Sequence, residues 1–178
     1  MDYQIIRSRR KTLALQISER GEVILRGPLQ LSDQEAEAFV KKHLTWIEKH
    51  RAKFAMPALP PYSEAELEKI LHQAHVLIPQ RVAYWAERMG ISYGRISIRR
   101  QKTRWGSCSS KGNLNFNCTL VITPAEVMDY VIIHELCHRK QMNHSPKFWQ
   151  EVAKYSPNHK ACRAWLKAHS RELIGRLP

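Results

Sequence analysis

Five consecutive residues could do chemistry together: His134-Glu135-Leu136-Cys137-His138, at the end of the apolar run from Val127 to Cys137. Residues four apart on an α-helix share a face one turn apart, so His134 and His138 can offer both imidazoles to one ion. In an H-E-x-x-H site the glutamate does not bind the metal. It takes a proton from the metal-bound water and later delivers it to the leaving group. A catalytic zinc wants a third protein ligand and one open position, and His144, just past the expected helix end, is the candidate. Cys137 is turned away from the metal face and is expected in the core.

The segment ahead of this motif is a helix start. Thr123 is expected as N-cap, Pro124 at the first helical position and Glu126 closing a capping box. Val127, Val131, His134 and His138 then fall on one stripe. Two histidines continuing an apolar stripe would be costly as plain core residues, which favours a metal over paired structural histidines. After the helix, Asn143 is expected in a left-handed conformation, Ser145 as the next N-cap and Pro146 in its first turn, which would hold His144 on a short, stiff linker.

Three further segments carry a resemblance. Arg104-Trp105-Gly106-Ser107-Cys108, Asn113-Leu114-Asn115-Phe116-Asn117, and His134 through Asn143-His144-Ser145-Pro146-Lys147-Phe148-Trp149 occur in the order found in the YgjP-like metallopeptidase family. That family is a bacterial branch of the zincins, related more distantly to SprT-like proteases. The resemblance also takes in Ser8-Arg9-Arg10-Lys11-Thr12 and Trp165-Leu166. It implies a zinc-dependent hydrolase with one Zn²⁺ per chain, His134, His138 and His144 as ligands and Glu135 as general base. It also raises the expectation that Arg104 borders the active-site cleft, near any substrate anion.

The elements that must position these residues follow from pattern. Over 2–28, Leu13, Leu15 and Ile17, then Val23 and Leu25, alternate with polar residues as half-buried strands do, with Ser18–Gly21 as the turn between them. Arg9-Arg10-Lys11 marks another turn or a solvated edge. A single helix is expected over 32–54, opened by a Ser32/Glu35 capping box, with Phe39, Val40, Leu44 and Ile47 as its stripe. The proline-rich stretch 55–62 reads as an extended connector. It divides a strand-and-helix segment, 1–56, from a zincin-like catalytic domain, 57–178, unless the two form one continuous compact domain.

From Ser63, capped by Glu66, a helix runs to Pro79, which should kink or restart it before a stop at Gly90. His72 and His75 lack a carboxylate-rich setting and read as exposed helix residues; His43, His50 and His169 carry no site signal. Strands are expected over 95–122. In the second, Leu114, Phe116 and Cys118 point one way and Asn113, Asn115, Asn117 and Thr119 the other. A strand just upstream of the metal helix can pair with an extended substrate, and Asn115 and Asn117 would orient its backbone. Tyr155, His159 and Arg163 are candidates to stabilise an oxyanion. The fold class is α+β: a zincin-like domain with a small antiparallel or mixed sheet beside the metal helix.

Composition bounds the rest. The 178 residues can bury a real core, and no apolar run has the length of a membrane span. The start of the chain has no signal-peptide architecture and the four cysteines form no C-x-x-C pair, so reduced thiols and a cytoplasmic location are expected. The net charge of +13 is spread along the chain and fits attraction to nucleic acid or nucleotides.

A peptide or protein is the expected substrate. The rivals are a nucleoside triphosphate (UTP) pyrophosphohydrolase, a nucleic-acid-associated SprT-like protease, and a zinc-stabilised binding module without turnover. The first generally relies on carboxylates and Mg²⁺, whereas this motif offers imidazoles.

Overall fold

The computed structural model describes residues 2–18, 21–55 and 59–178, with backbone alone for 52–55. The chain divides into two compact units, Met1–Ala58 and Leu59–Pro178. Residues 56–58 of the expected connector lie outside the described residues, as do Glu19 and Arg20 of the first turn.

In the first unit β1 (Tyr3–Ser8), β2 (Ala14–Ile17) and β3 (Val23–Pro28) form a sheet in the order β1-β3-β2. β3 pairs parallel with β1 and antiparallel with β2. Its alternation is clean: Val23 and Leu25 are buried and meet Leu31, Ala36, Val40 and Ile47. Two helices follow, α1 (Asp33–Lys42) and α2 (Leu44–Ala55), where the stripe suggested one. The break is at His43. Its backbone leaves the helical basin (φ −112°, ψ 18°) and its N–H reaches back to the Val40 and Lys41 carbonyls. The His43 ring also meets the Phe39 carbonyl through Nδ1 at 2.7 Å, a local bond that periodicity cannot show. The Ser32/Glu35 capping box is formed in both directions.

The second unit opens with α3 (Glu64–Met89), capped by Ser63 and Glu66 and stopped by Gly90 at φ 62°. Pro79 does not restart it. The helix continues through the missing N–H because Ile78 and Val82, on either side, are fully buried. Next come β4 (Ile96–Arg99), β5 (Gly106–Cys108) and β6 (Leu114–Asn117), in the order β4-β6-β5. β6 pairs parallel with β4 and antiparallel with β5, so both its edges are taken. The expected alternation through Thr119 ends early: Cys118–Ile122 is a short 3-10 helix, capped by the Asn117 side chain.

Then follow α4 (Ala125–Cys137), α5 (Pro146–Tyr155) and α6 (His159–Leu173). α4 is buried on nearly every side, from Val127 and Met128 through Ile132 and Ile133 to Leu136 and Cys137, as befits the central helix of a small domain. It packs against α3, α5, α6 and β5. Its start differs from expectation: Thr123 does not cap it. The Thr123 hydroxyl donates to the Leu120 carbonyl at 2.7 Å and so closes the preceding 3-10 helix. Glu126 instead accepts from Asn158 Nδ2 at 2.9 Å. Asn143 is not left-handed either, since no non-glycine among the described residues has positive φ. α4 ends through tight bonds from Arg139 N–H to Leu136 O and from Lys140 N–H to Cys137 O.

Asn117 ties the sheet to the loop ahead of β5. It is fully buried, and its Nδ2 donates to the carbonyls of Gln101 (2.6 Å) and Arg104 (3.1 Å). Its Oδ1 accepts from Thr119 N–H (3.0 Å) and Thr119 Oγ1 (2.8 Å). Asn117→Ala should therefore cost about 2–4 kcal/mol by stranding buried polar groups, seen as a lower urea midpoint with unchanged slope.

Candidate metal centre and cleft

The last turn of α4 presents His134 and His138, and the linker into α5 brings His144 to them. The linker works as its residues imply: Ser145 accepts from Phe148 N–H, and Pro146 occupies the first turn of α5. His134 Nε2 and His144 Nε2 lie 3.0 Å apart, and ligating nitrogens of all three rings fall within 4.8 Å of one another. Two nitrogens each about 2.0–2.1 Å from a tetrahedral zinc are about 3.3 Å apart, so small side-chain adjustments bring the set onto one ion. His138 Nδ1 meets the Gln141 carbonyl at 3.1 Å. A carbonyl only accepts, so the proton is on Nδ1 and Nε2 keeps its lone pair.

The electrostatics disfavour protonation of His134 and His138. Burial pushes His134 down to about 3, helped by the neighbouring His138, His144 and Arg163. His138 is also lowered by burial, against the opposing pull of its Gln141 hydrogen bond. Neutral imidazole is the form that binds metal.

The physical floor of the cluster is Phe148. It is fully buried, and its ring centroid is 4.9 Å from that of His134, 4.6 Å from His138 and 4.8 Å from His144. Trp149, beside it, stacks on His144 at 5.7 Å and on His159 at 5.8 Å.

Glu135 and His134 both line a cleft of about 360 Å³. The carboxylate is buried, which raises it to about 8; the nearby Arg104 charge pulls it partly back. The reason for Gly106 is here. A Cβ at that position would lie 2.8 Å from both Cγ and Oε1 of Glu135, so the side chain rests on bare backbone. Arg104, Tyr130 and Arg163 line the same cleft.

The family model of the YgjP-like metallopeptidase domain matches residues 11–71 and 57–169. The chain belongs to the YgjP-like metallopeptidase family. Abylysin, a metallopeptidase zymogen from Pyrococcus abyssi, is 26% identical over 52% of this chain and 93% of its own length, with a TM-score of 0.48. Jannalysin, a metallopeptidase zymogen from Methanocaldococcus jannaschii, is also 26% identical, over 51% of this chain and 96% of its own, with a TM-score of 0.44. No curated protein matches. No helix among the described residues is long and apolar enough to cross a membrane, and the four cysteines of this family member are free thiols.

The other expected site residues divide. Asn117 is spent inside the fold, as described, and does not face the cleft. Asn115 donates to Ser107 Oγ across the sheet at 3.3 Å and does not line the cleft. Strand β6, which carries both, has no free edge for a substrate; β5 is the edge strand on the α4 side. His159 Nδ1 meets Ser156 O, and Tyr155 packs against the core; neither lines the cleft. Tyr130, not singled out by sequence, is one helical turn before His134, its ring 5.9 Å away edge-on, and burial pushes its phenol up to about 12. Its four-residue spacing from His134 was the available signal.

Replacing Phe148 by Ala should remove about 3–5 kcal/mol of stability and release all three rings, lowering metal affinity about 10–100-fold. Thermal unfolding and metal titration with a competing chelator check both.

Proposed function

We propose that this family member is a zinc-dependent peptidase in which His134, His138 and His144 hold the ion and Glu135 is the general base. The observation that carries the reading is the convergence of three imidazoles, with the buried carboxylate of Glu135 and His134 lining one cleft. Borderline nitrogen donors suit zinc, whereas Mg²⁺ and Ca²⁺ take oxygen ligands. The same preference weighs against a nucleoside triphosphate pyrophosphohydrolase.

Zinc, when bound, supplies Lewis-acid polarisation and acidifies water. The chain's own residues do the rest. Glu135 accepts a proton from the attacking water at its carboxylate and returns it to the departing amine, so that hydrolysis needs no covalent intermediate. Gly106 sets where that carboxylate lies, and the Arg104 charge favours its ionised form against the effect of burial. The outer edge of β5, which begins at Gly106, offers main-chain groups on which an extended peptide could be laid past Glu135.

Elemental mass spectrometry on protein purified without added metal should find about one zinc per chain, and a clear loss in His144→Ala and His138→Ala. No zinc in the parent, with added zinc not retained by the folded protein, would remove the reading. Glu135→Gln should keep the metal and lose about 10²–10⁴-fold in peptide hydrolysis; turnover at the parent rate would sink the general-base role. Gly106→Ala should also keep the metal while displacing the carboxylate. A misplacement of this size costs on the order of 10²-fold in kcat, measurable in the same peptide assay.

A further inference from the structure

The cleft beside Glu135 holds more positive charge than amide hydrolysis needs. Arg104, Arg163 and Lys167 line it, and among the described residues Glu135 is the only carboxylate that does. Arg163 and Lys167 are spaced i and i+4 on α6, with Leu166 and Ser170 on the same face, so α6 turns a basic stripe toward the cleft. Arg104 comes from the loop ahead of β5, which Asn117 fixes through the Arg104 carbonyl.

A few cations elsewhere in this unit are ion-paired. Arg81 pairs with Asp129, Lys140 and Lys154 share Glu151, and Arg176 reaches Glu66. Among the described residues Arg104, Arg163 and Lys167 form no such ion pair, although Arg163 is not loose. Its guanidinium lies over Trp149 at 5.2 Å, and Trp149 stacks in turn on His144. An anion bound at Arg163 is thereby registered against the three-imidazole cluster through one aromatic ring.

We propose that Arg163 and Lys167, with Arg104, form a subsite for a carboxylate of the peptide substrate, so that the enzyme selects acidic peptides. The inference rests on the peptidase reading above. The carboxylate has two possible sources, an Asp or Glu side chain or the free C-terminus of the peptide. Guanidinium and ammonium groups bind either one by charge-assisted hydrogen bonds. These cations are exposed, so the selectivity is screened by salt.

The test is binding of fluorescent peptides to the zinc-loaded Glu135→Gln protein, by anisotropy at low and high salt. One peptide carries two internal Glu and an amidated C-terminus, a second has Gln in their place, and a third is the Gln peptide with a free C-terminus. The acidic peptide, or the one with a free C-terminus, should bind roughly tenfold tighter than the neutral one at low salt, and the arm that gains names the source.

Adding R163Q and K167Q should abolish the preference, and R163E with K167E should turn it toward a Lys-containing peptide. Arg104→Gln should weaken it about twofold to fivefold. Equal binding of all three peptides, or a preference that survives R163Q/K167Q, would overturn the subsite. Parallel cleavage by the Glu135 enzyme separates the two claims. Selective binding with no peptide cut removes the peptidase reading and leaves a site that binds acidic peptides without cleaving them; cutting without acidic preference removes the subsite alone.

Discussion

The site depends on one aromatic ring. Three histidines from separate stretches, the last turn of α4, its C-terminal cap and the linker into α5, come within ring-contact distance of Phe148. Imidazoles brought this close would repel if protonated, and an apolar floor is what disfavours the proton. Burial against it depresses His134 and His138 before any ion is considered. Phe148 follows His144 by one short linker, and its N–H is the group that Ser145 caps. The same few residues therefore deliver the third imidazole and the surface it rests on.

The other half of the chemistry is held from the sheet side. Glu135 belongs to α4, but its carboxylate is located by Gly106 at the start of β5. The loop before Gly106 is held in turn by the buried amide of Asn117, which bonds the carbonyls of Gln101 and Arg104. Helix and sheet thus divide the work: α4 and α5 gather the nitrogens, while β5 and β6 place the carboxylate and one wall of the cleft. A strand position with no side chain is the point where the two meet.

What was legible in the sequence was local. His134 and His138 are related by one helical turn, His144 by a linker whose Ser145 and Pro146 signal the next helix, and Ser32 and Ser63 by capping boxes that close within four residues. What was not legible depended on partners far away in the chain. Asn117 was expected on the polar face of a strand, because alternation cannot tell that β6 is central and that Asn117 at its end is buried. Thr123 stood between two helices, and which one its hydroxyl serves depends on the 3-10 turn that replaces the expected end of the strand. The smallness of Gly106 answers to a glutamate on another element. The break at His43 lies in its backbone angles, inside a stripe that looked continuous.

The two sheets share one strand order, with the last strand in sequence lying between the first two. A ribosome releases the chain from its N-terminus, so β1 and β2 leave it before they have anything to pair with, and so do β4 and β5. Neither pair can begin a ladder until β3 or β6 arrives, and each sheet then closes on both sides around one newcomer. The loop carrying Arg104 and Gly106 gains its anchor at that moment, because Asn117 is the final residue of β6. Assembly of the carboxylate's seat is in this sense a late event in each molecule's synthesis, completed only shortly before α4 itself is made.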